Sequence, residues 1–348
     1  MKVTKQSVGI DIAKDSFTAC ICQRQTKGLL ACTEVKTFKN QKTGFNQLVR
    51  WVRKVCLKDV DLVYLMEATG VYYEHLAYHL FGLDQVVHVV LPNTSKHYFS
   101  SLNIKTKTDE VDAKVLSQFG AERIHKIWIA PSENLQKIRN LTRYHVQLQE
   151  QKTALTNIKH SKEAAFEIQS FILASNKKLI KQIDTQIVKV KLEIEKQVGR
   201  DKELKQKVNK LLTIKGIGLM TVVTILAETN GFSQVQNAKQ LASFAGYDVV
   251  QRESGTSIKG KTRISKKGNR YIRNALYFPA MVACRYNHNL KAVYSRIIQK
   301  NSSKMIGQVA IQRKLLLLIY TLWKNDTVYV EDYRKVASNK LLEATQDN

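Results

Sequence analysis

Four acidic residues in the first third of the sequence have the types and spacing of a metal site. Asp11 interrupts an apolar, β-branched stretch that predicts a strand, and Glu67 ends a second such stretch. Asp109 and Asp112 lie three residues apart at the start of a predicted helix, so their side chains fall on one helix face. Magnesium prefers carboxylate oxygens as ligands, and a set of this kind can hold two Mg²⁺ ions for phosphodiester chemistry.

Each of these residues also has an interpretation that needs no metal. Asp11 could end its strand and cap a turn, and acidic residues in the first turn of a helix suit the helix dipole. A carboxylate inside an apolar strand is nevertheless costly to bury without a partner. The basic residues Lys105 and Lys107 precede Asp109 and would offset carboxylate repulsion and contact phosphate. The complete set therefore favours metal-dependent chemistry on nucleic acid.

The charge of the chain points to the same class of substrate. Its 348 residues include 56 Lys and Arg against 29 Asp and Glu, a formal charge of +27. Such an excess favours a polyanionic partner, and nucleic acid is the most common one. A membrane surface is the weaker alternative, because no apolar run approaches the ~20 residues that span a bilayer and the N-terminus lacks a signal-peptide core. The 5 cysteines show no CxxC spacing and indicate reduced thiols in a cytoplasmic protein without zinc.

The apolar pattern predicts the elements that must position the carboxylates. Short β-branched runs predict strands over residues 7–13, 17–23, 30–38, 61–67 and 85–91. Apolar residues at helical spacing predict helices over residues 43–56 and 71–81 and from Asp109 onward. The order β-β-β-α-β-α-β-α, with the first three strands as an antiparallel meander, is that of an α/β mixed sheet of the RNase H-like class.

The middle of the chain predicts a purely helical segment. Residues 132–198 contain neither glycine nor proline, and they carry two separate apolar stripes at helical spacing. The pattern favours two long helices that turn near residues 170–177, either as a coiled-coil hairpin or as part of an ordinary helical bundle. In both cases the segment is a spacer or an assembly element and not a catalytic one.

Two segments beyond residue 200 have the composition of phosphate-binding backbone. Gly216 and Gly218 lie in an apolar segment that is similar to a helix-hairpin-helix, whose backbone amides contact phosphate. Residues 251–273 are basic and glycine-rich, which is typical of a phosphate-contacting loop that leads into a helix. The nucleic-acid-binding residues expected from the whole chain are Lys105, Lys107, Lys215, Arg252, Lys259, Lys261, Arg263, Lys266, Lys267, Arg270 and Arg273.

Taken together, these motifs resemble those of the DEDD transposases of bacterial insertion sequences, a group also called bridge-RNA-guided recombinases, and of the related pilin-gene DNA invertases. In the N-terminal part the resemblance rests on Val-Gly-Ile-Asp11-Ile-Ala-Lys, Met-Glu67-Ala-Thr-Gly and Thr-Asp109-Glu-Val-Asp112-Ala. In the C-terminal part it rests on Ile-Lys-Gly-Ile-Gly, Ala-Ser-Phe-Ala-Gly and Ser254-Gly255, followed by Ile-Ser-Lys-Lys-Gly-Asn-Arg-Tyr-Ile-Arg. It covers nearly the whole chain.

The resemblance implies an organisation in three parts. These are a RuvC-like catalytic domain over residues 1–128, a helical coiled-coil linker over residues 129–200 and a mainly helical transposase domain over residues 201–340. It also implies that the cofactor is Mg²⁺, that the substrates are donor and target DNA, that a structured guide RNA directs the enzyme, and that the chain works as a homo-oligomer, a dimer or a tetramer.

The resemblance further implies roles for individual residues. The metal ligands are Asp11, Glu67, Asp109 and Asp112. Ser254 is the nucleophile that becomes covalently joined to DNA. Family members often carry proline shortly before this serine, where this chain has Val249 and Val250, so Ser257 is the alternative nucleophile. From residue types alone, a serine in a basic, glycine-rich loop is more often a phosphate contact.

The sequence therefore predicts a DNA transposase or recombinase that uses magnesium and a serine nucleophile. A site-specific DNA invertase of the same group is an alternative. So is a Holliday-junction-type nuclease, which would use the same carboxylates for hydrolysis and leave Ser254 idle. A non-catalytic nucleic-acid-binding protein is disfavoured, because four acids among basic residues would weaken plain DNA binding.

Overall fold

The chain forms two compact units in a computed structural model, one from Met1 to Ala130 and one from Pro131 to Asn348. The structure describes residues 2–167, 169–251, 253–254, 258–260, 262–301 and 303–331. The helical segment expected as a separate linker belongs to the second unit. The division into three domains with boundaries at 128 and 200 stays a prediction.

The first unit is built around a mixed sheet. Its strands are β1 (Val3–Ile12), β2 (Ser16–Gln25), β3 (Leu30–Cys32), β4 (Lys36–Lys39), β5 (Leu62–Glu67) and β6 (Val86–Val90). The order is β3-β2-β1-β5-β6, and β4 also pairs with β2. β1 and β2 are antiparallel, whereas β1, β5 and β6 are parallel to one another. This arrangement confirms the α/β mixed sheet that the sequence predicts.

The third strand of the predicted meander is interrupted. The sequence predicts one strand over residues 30–38, but the structure has two separate strands, β3 and β4. They separate at Thr33, because its side chain takes the place of its backbone carbonyl as a hydrogen-bond acceptor. The Thr33 side chain, through Oγ1, accepts a hydrogen bond from the Ile21 amide at 3.1 Å. A side-chain oxygen there competes with the backbone ladder. Both short strands still pair with β2, so the meander topology is retained.

Helices cover both faces of this sheet. They are α1 (Lys42–Val55), α2 (Glu74–Phe81), α3 (Pro92–Ser101) and α4 (Asp109–Glu122). Alternate strand residues point to opposite faces, so Val8 and Ile10 pack with the core of α1 and α2. Leu65 packs on the other face, with Tyr98 of α3 and Leu116 of α4. The sequence analysis predicts no helix directly after the strand over residues 85–91, whereas Pro92 occupies the first turn of α3, where proline is favoured.

Two glycines bring α4 unusually close to β1. A Cβ atom added at Gly9 would lie 1.9 Å from the Ser117 amide nitrogen, and one at Gly120 would lie 2.1 Å from Ser7 Oγ. A side chain at Gly9 would have to displace the backbone of α4, and one at Gly120 would have to displace the Ser7 side chain of β1. The absence of these side chains therefore sets the distance between α4 and the β1 strand that carries Asp11.

The second unit begins with two long helices. α5 (Glu133–Glu163) and α6 (Ser170–Arg200) are joined by residues 164–169, a few positions before the predicted turn. Ile138 of α5 and Ile194 of α6 are buried in the same core as the helices that follow. One end of the helical pair is thus part of the second unit's core, as in a helical bundle.

The rest of the second unit is mainly helical. Its helices are α7 (Lys202–Leu211), α8 (Leu219–Thr229), α9 (Ala238–Phe244), α10 (Arg270–Tyr286), α11 (His288–Gln299) and α12 (Lys304–Asn325). α7 and α8 are joined through Gly216, whose φ of 87° requires glycine, and through Gly218 at the start of α8. This matches the predicted helix-hairpin-helix-like segment. α11 was not predicted as a separate helix.

α12 corrects the expectation that no apolar run approaches membrane-spanning length. By length and composition it is the one helix among the described residues that could cross a membrane. Ile311, Leu315 and Ile319 are fully buried in the core of the second unit, and Arg313 and Lys314 lie in the middle of the helix. These features are those of a core helix of a globular unit.

Candidate active site

The parallel pairing of β1 with β5 places Asp11 and Glu67 at the same edge of the sheet. Ile10 pairs with Met66, so the two acids follow adjacent positions at the carboxyl ends of neighbouring strands. Asp11 is two residues beyond Gly9 and shares its face, which is the face covered by α4. Glu67 lies on that face as well, two residues beyond Leu65.

The first turn of α4 adds the other two acids. Thr108 caps this helix, because its side-chain oxygen accepts a hydrogen bond from the Val111 amide at 3.3 Å. Asp109 and Asp112 follow in the first turn. Asp112 precedes Ala113, whose carbonyl lies next to Gly9, so the close approach at Gly9 brings Asp112 towards Asp11. Asp112 is half-buried and Asp109 is exposed.

The carboxylates interact electrostatically as one group. Burial, followed by the charges of Asp112, Asp109 and Glu67, raises the pKa of Asp11 to about 6. Burial is also the largest cause that raises the pKa of Asp112, and Lys107 opposes it. Repulsion of this kind is the expected signature of acids that are gathered to bind a cation.

The orphaned oxygen of Asp112 fits a bound cation. Its Oδ1 atom is buried and has no hydrogen-bond partner among the described residues. A buried carboxylate oxygen without a donor is costly, and a divalent cation would satisfy it. In the part of the chain that the structure describes, no group of three or more His, Cys, Asp and Glu residues converges closely enough to hold a metal.

Two hydroxyl groups donate hydrogen bonds to the carboxylate of Glu67. Thr69 donates to Oε1 of Glu67 at 3.1 Å, and Ser95 donates to Oε2 at 2.5 Å. Ser95 lies on α3 and is 1% exposed. Sequence reasoning missed both residues. Thr69 lies two residues after Glu67 and could have been suspected, whereas Ser95 is 28 residues away on a helix that was not predicted.

The basic segment of the second unit is held by short strand pairs. β7 (Val249–Val250) pairs with β10 (Arg263–Ile264), and β8 (Glu253–Ser254) pairs with β9 (Ile258–Lys259). Beyond β10, a Cβ atom at Gly268 would lie 2.4 Å from the Gly246 amide nitrogen. The backbone of the segment at Gly268 is therefore in close contact with the backbone at the end of α9.

The structure distinguishes among the basic residues that were predicted to bind nucleic acid. Lys105, Lys107, Arg263, Lys266, Lys267 and Arg270 are exposed. Lys215 is exposed too, but its ammonium lies 2.7 Å from the Glu331 carboxylate. Arg273 donates to the Ala245 carbonyl at 2.8 Å and so ties α10 to α9. Nucleic-acid binding by all of these residues stays a prediction.

Part of the predicted nucleophile region, namely Arg252, Ser257 and Lys261, lies outside the described residues. The backbone of Ser254 pairs with that of Ile258, and the description does not extend to the side chains of Ser254 and Lys259. Ser254 belongs to the second unit, whereas the acids belong to the first.

A buried carboxylate anchors the start of the helix that follows the basic segment. Glu228 on α8 is 1% exposed, and Arg143 of α5 contacts its two oxygens at 2.7 and 2.8 Å. The amide of Asn269, the N-cap of α10, donates to Oε2 of Glu228 at 2.6 Å. Sequence reasoning missed this network, because a single acid in an apolar helix gives no sign of its partners.

Comparison with known proteins identifies the relatives of this chain. Residues 8–161 match a family model described as a transposase, the DEDD group of IS110 elements, and residues 208–295 match the transposase IS116/IS110/IS902 family. The pilin gene-inverting protein of Moraxella bovis is 32% identical over 91% of this chain and 95% of its own length. A transposase for insertion sequence element IS1111A from Coxiella burnetii is 21% identical over 92% of this chain and 90% of its own length.

Among solved structures, the chain is similar to RuvC from Thermus thermophilus. The two are 11% identical, with a TM-score of 0.28, over 35% of this chain and 99% of that one.

Proposed function

Since the chain belongs to the IS110 family of transposases and is a DNA-recombining enzyme, we propose that it cuts and rejoins DNA strands by metal-assisted phosphoryl transfer. Asp11, Glu67, Asp109 and Asp112 hold Mg²⁺, and Ser254 is the nucleophile. The observation that carries the metal assignment is the carboxylate group itself, with the pKa of Asp11 raised to about 6 and a buried Asp112 oxygen that lacks a donor.

Residues around the four acids hold them in place and offset part of their charge. The glycine contact at Gly9 holds Asp112 near Asp11, and the hydroxyls of Thr69 and Ser95 fix the carboxylate of Glu67. Lys107 offsets part of the negative charge on Asp11 and Asp112. When bound, a divalent cation would stabilise the charge that develops on the transferring phosphoryl group.

In this proposal Ser254 attacks the DNA, and the basic segment around it binds phosphate. The oxygen of Ser254 would attack phosphorus, form a phosphodiester with the protein and release the other DNA end as a hydroxyl group. Arg263, Lys266 and Lys267 are exposed in the same segment and carry the positive charge that phosphate contacts require. A covalent intermediate conserves the phosphodiester bond energy, so strands can be exchanged without ATP.

The proposal extends to partners. Donor and target DNA are the substrates, a structured RNA directs the enzyme to its sites, and several copies of the chain assemble for strand exchange. These proposals rest on the family. An inversion reaction is the second candidate, because the pilin gene-inverting relative is similar over almost its whole length. A hydrolytic junction nuclease would use the same carboxylates without a covalent intermediate.

A cleavage assay with a matched pair of variants tests the carboxylate assignment. Asp112→Asn removes one negative charge from the first turn of α4 at the orphaned carboxylate, and Glu110→Gln removes one from the same turn at an exposed position. We expect Asp112→Asn to lower the rate of strand cleavage by orders of magnitude and Glu110→Gln to leave it within about twofold. Equal rates in the two variants, or full activity of the unaltered protein in EDTA, would contradict the assignment.

A further inference from the structure

Three cysteines lie together on the face of the sheet that α4 covers. Cys20 pairs with Gly9 across β2 and β1, so it shares the face on which Gly9 meets α4. Cys22 lies two residues further along β2 and points the same way. Cys32 on β3 lies directly opposite Cys22 in the strand register. The sequence spacing of these residues gave no sign of the cluster, because β2 and β3 have to pair before the thiols meet.

The sulfur of Cys32 is surrounded by donors. Nε2 of Gln118, on α4, lies 3.7 Å from this sulfur. The thiols of Cys20 and Cys22 are within hydrogen-bonding reach of it as well, and together these donors lower the pKa of the Cys32 thiol. The same contacts, together with burial, raise the pKa of Cys20 and Cys22. Cys32 is thus the member of the cluster that favours the thiolate, the reactive form of cysteine.

Solvent exposure also distinguishes Cys32 from Cys20 and Cys22. Cys20 and Cys22 are 0% exposed, whereas Cys32 lies on the short edge strand β3 and is partly exposed. A small oxidant can therefore reach Cys32 before the other two. A partly exposed cysteine that favours the thiolate, next to a buried thiol, is the arrangement of a peroxide-reactive cysteine and its resolving partner.

From this geometry we infer that Cys32 is a site of peroxide oxidation and that Cys22 resolves it by forming a disulfide across β2 and β3. Directly opposed residues of an antiparallel pair have Cα atoms about 4.5–5.5 Å apart, which a disulfide can span. Cys20 is the diagonal neighbour of Cys32, and diagonal positions are roughly 7–8 Å apart, beyond the usual limit. The Cys20 thiol also donates to the Thr33 carbonyl at 3.5 Å.

The chemistry balances with hydrogen peroxide as the oxidant. The Cys32 thiolate attacks one peroxide oxygen, the O–O bond breaks, an S–O bond forms, and the leaving hydroxide takes a proton to become water. The Cys22 sulfur then attacks the sulfenic sulfur, the S–S bond forms, the S–O bond breaks, and the second oxygen leaves as water with the Cys22 proton. Two thiols lose two electrons in total, and peroxide gains them.

The site also touches the helix that carries two of the proposed metal ligands. Gln118 is on α4, one turn and a half beyond Asp112, and its amide hydrogen bond ends on the Cys32 sulfur. A disulfide would replace that acceptor thiolate. Oxidation of Cys32 therefore changes a contact of α4, although the inference itself does not depend on the proposed function.

Two other cysteines serve as references within the same chain. Cys56 and Cys284 are partly exposed, as Cys32 is. Burial raises the pKa of Cys56 to about 11 and raises that of Cys284. These thiols remain protonated near neutral pH, so comparable exposure without the surrounding donors should leave them slow to react.

The experiment follows oxidation of the full-length protein by mass spectrometry. The reduced protein is freed of reductant, treated with a small molar excess of hydrogen peroxide, alkylated and digested with trypsin. Trypsin leaves Cys20 and Cys22 in peptide 15–24 and Cys32 in peptide 28–36. Fragmentation between Cys20 and Cys22 then identifies which of them is bonded to Cys32.

We expect the Cys22–Cys32 disulfide to form and Cys32 to be oxidised at least about tenfold faster than Cys56 or Cys284, as its greater thiolate fraction requires. In Cys22→Ser, Cys32 should stop at the sulfenic acid and be trapped by dimedone, whereas Cys56→Ser should behave as the unaltered protein does. If a variant folds poorly, the disulfide partner of Cys32 and its rate of oxidation in the unaltered protein are sufficient to test the inference. Oxidation of Cys32 no faster than Cys56, or a disulfide to Cys20, would overturn the inference.

Discussion

The buried hydroxyl of Ser95 donates to Glu67, with 2.5 Å between Oγ and Oε2. Together with the Thr69 hydroxyl on Oε1, this contact fixes the orientation of the carboxylate before any cation is bound. Donors of this kind around a metal ligand orient it and tune its affinity. α3, which was not predicted, is therefore part of the candidate site through a single side chain.

Removal of the Ser95 hydroxyl should lower the affinity of the site for Mg²⁺ more than it lowers the stability of the fold. We expect Ser95→Ala to raise the Mg²⁺ concentration needed for half-maximal strand cleavage by about 10–100-fold, as loss of such a contact usually does. Ser100→Ala is the matched control, since its hydroxyl donates to the Lys96 carbonyl on the exposed side of α3. A similar shift in both variants would show that α3 acts only through stability.

The raised pKa of Asp11 predicts a conflict between stability and function. Because the pKa is about 6 in the folded protein, above the ordinary Asp value of 3.8, between these pH values the folded state holds a proton that the unfolded chain releases. Stability should therefore fall as the pH rises from about 4 to 6, and the full penalty should persist above that window. In EDTA at pH 7.5, Asp11→Asn should raise the melting temperature of the protein by a few degrees. The difference should shrink as the pH falls through this window and nearly vanish below about pH 4, where both states hold the proton.

The same measurement reports metal binding without an activity assay. Mg²⁺ should raise the melting temperature of the unaltered protein at pH 7.5 and should do so less for Asp11→Asn, because a ligand that binds only the folded state stabilises it. Asp15→Asn, an identical substitution at an exposed residue in the turn after β1, should change neither value. Destabilisation by Asp11→Asn at pH 7.5 would mean that the charge on Asp11 is compensated by other groups.

The sequence predicted the first unit well, because its pattern is local. The β-branched runs around Asp11 and Glu67 and the capped start of α4 at Thr108 are visible within a few residues. The contacts that set the site are not local. Gly9 against Ser117 depends on a separation of more than one hundred residues, and no periodicity predicts which glycine will face which helix.

The second unit shows the same limit more strongly. The helical pattern predicted α5, α6 and the glycine-bounded hairpin between α7 and α8, with errors of a few residues at the turn. The partners of Glu228 come from α5 and from the start of α10, 85 and 41 residues away. Only the folded chain reveals that these groups neutralise a buried charge.

Loss of Glu228 should destabilise the second unit substantially. Glu228→Ala leaves Arg143 and Asn269 without their common acceptor, and we expect a loss of about 2–4 kcal/mol in the free energy of unfolding, since Arg143 keeps partial access to water. Urea denaturation followed by circular dichroism measures this. Glu228→Gln, which keeps an acceptor, should lose less.

A surface ion pair provides the control for this prediction. Lys152 and Asp184 lie 2.6 Å apart with side chains 37% and 47% exposed. We expect Asp184→Ala to cost no more than about 1 kcal/mol, because exposed pairs gain little over hydration. Equal effects of Glu228→Ala and Asp184→Ala would show that burial of Glu228 does not determine its contribution.

The proposed nucleophile makes the sharpest prediction about the reaction. Ser254 should become covalently joined to a DNA end, and this intermediate separates a recombinase from a hydrolytic nuclease. Ser254→Ala should bind DNA normally, because exposed Arg263, Lys266 and Lys267 remain in place. Its strand cleavage should fall by several orders of magnitude, as loss of a nucleophile generally causes.

The adduct can be located directly. The unaltered protein, Ser254→Ala and Ser257→Ala are incubated with labelled donor DNA and Mg²⁺, denatured and separated on a gel, and the modified peptide is mapped. Ser257→Ala should retain the adduct, since only the hydroxyl at position 254 attacks phosphorus. An adduct on Ser257 would move the nucleophile by three residues but keep the mechanism. Active cleavage with no adduct on any residue would assign the carboxylates to hydrolysis, with water in place of the serine as the attacking group.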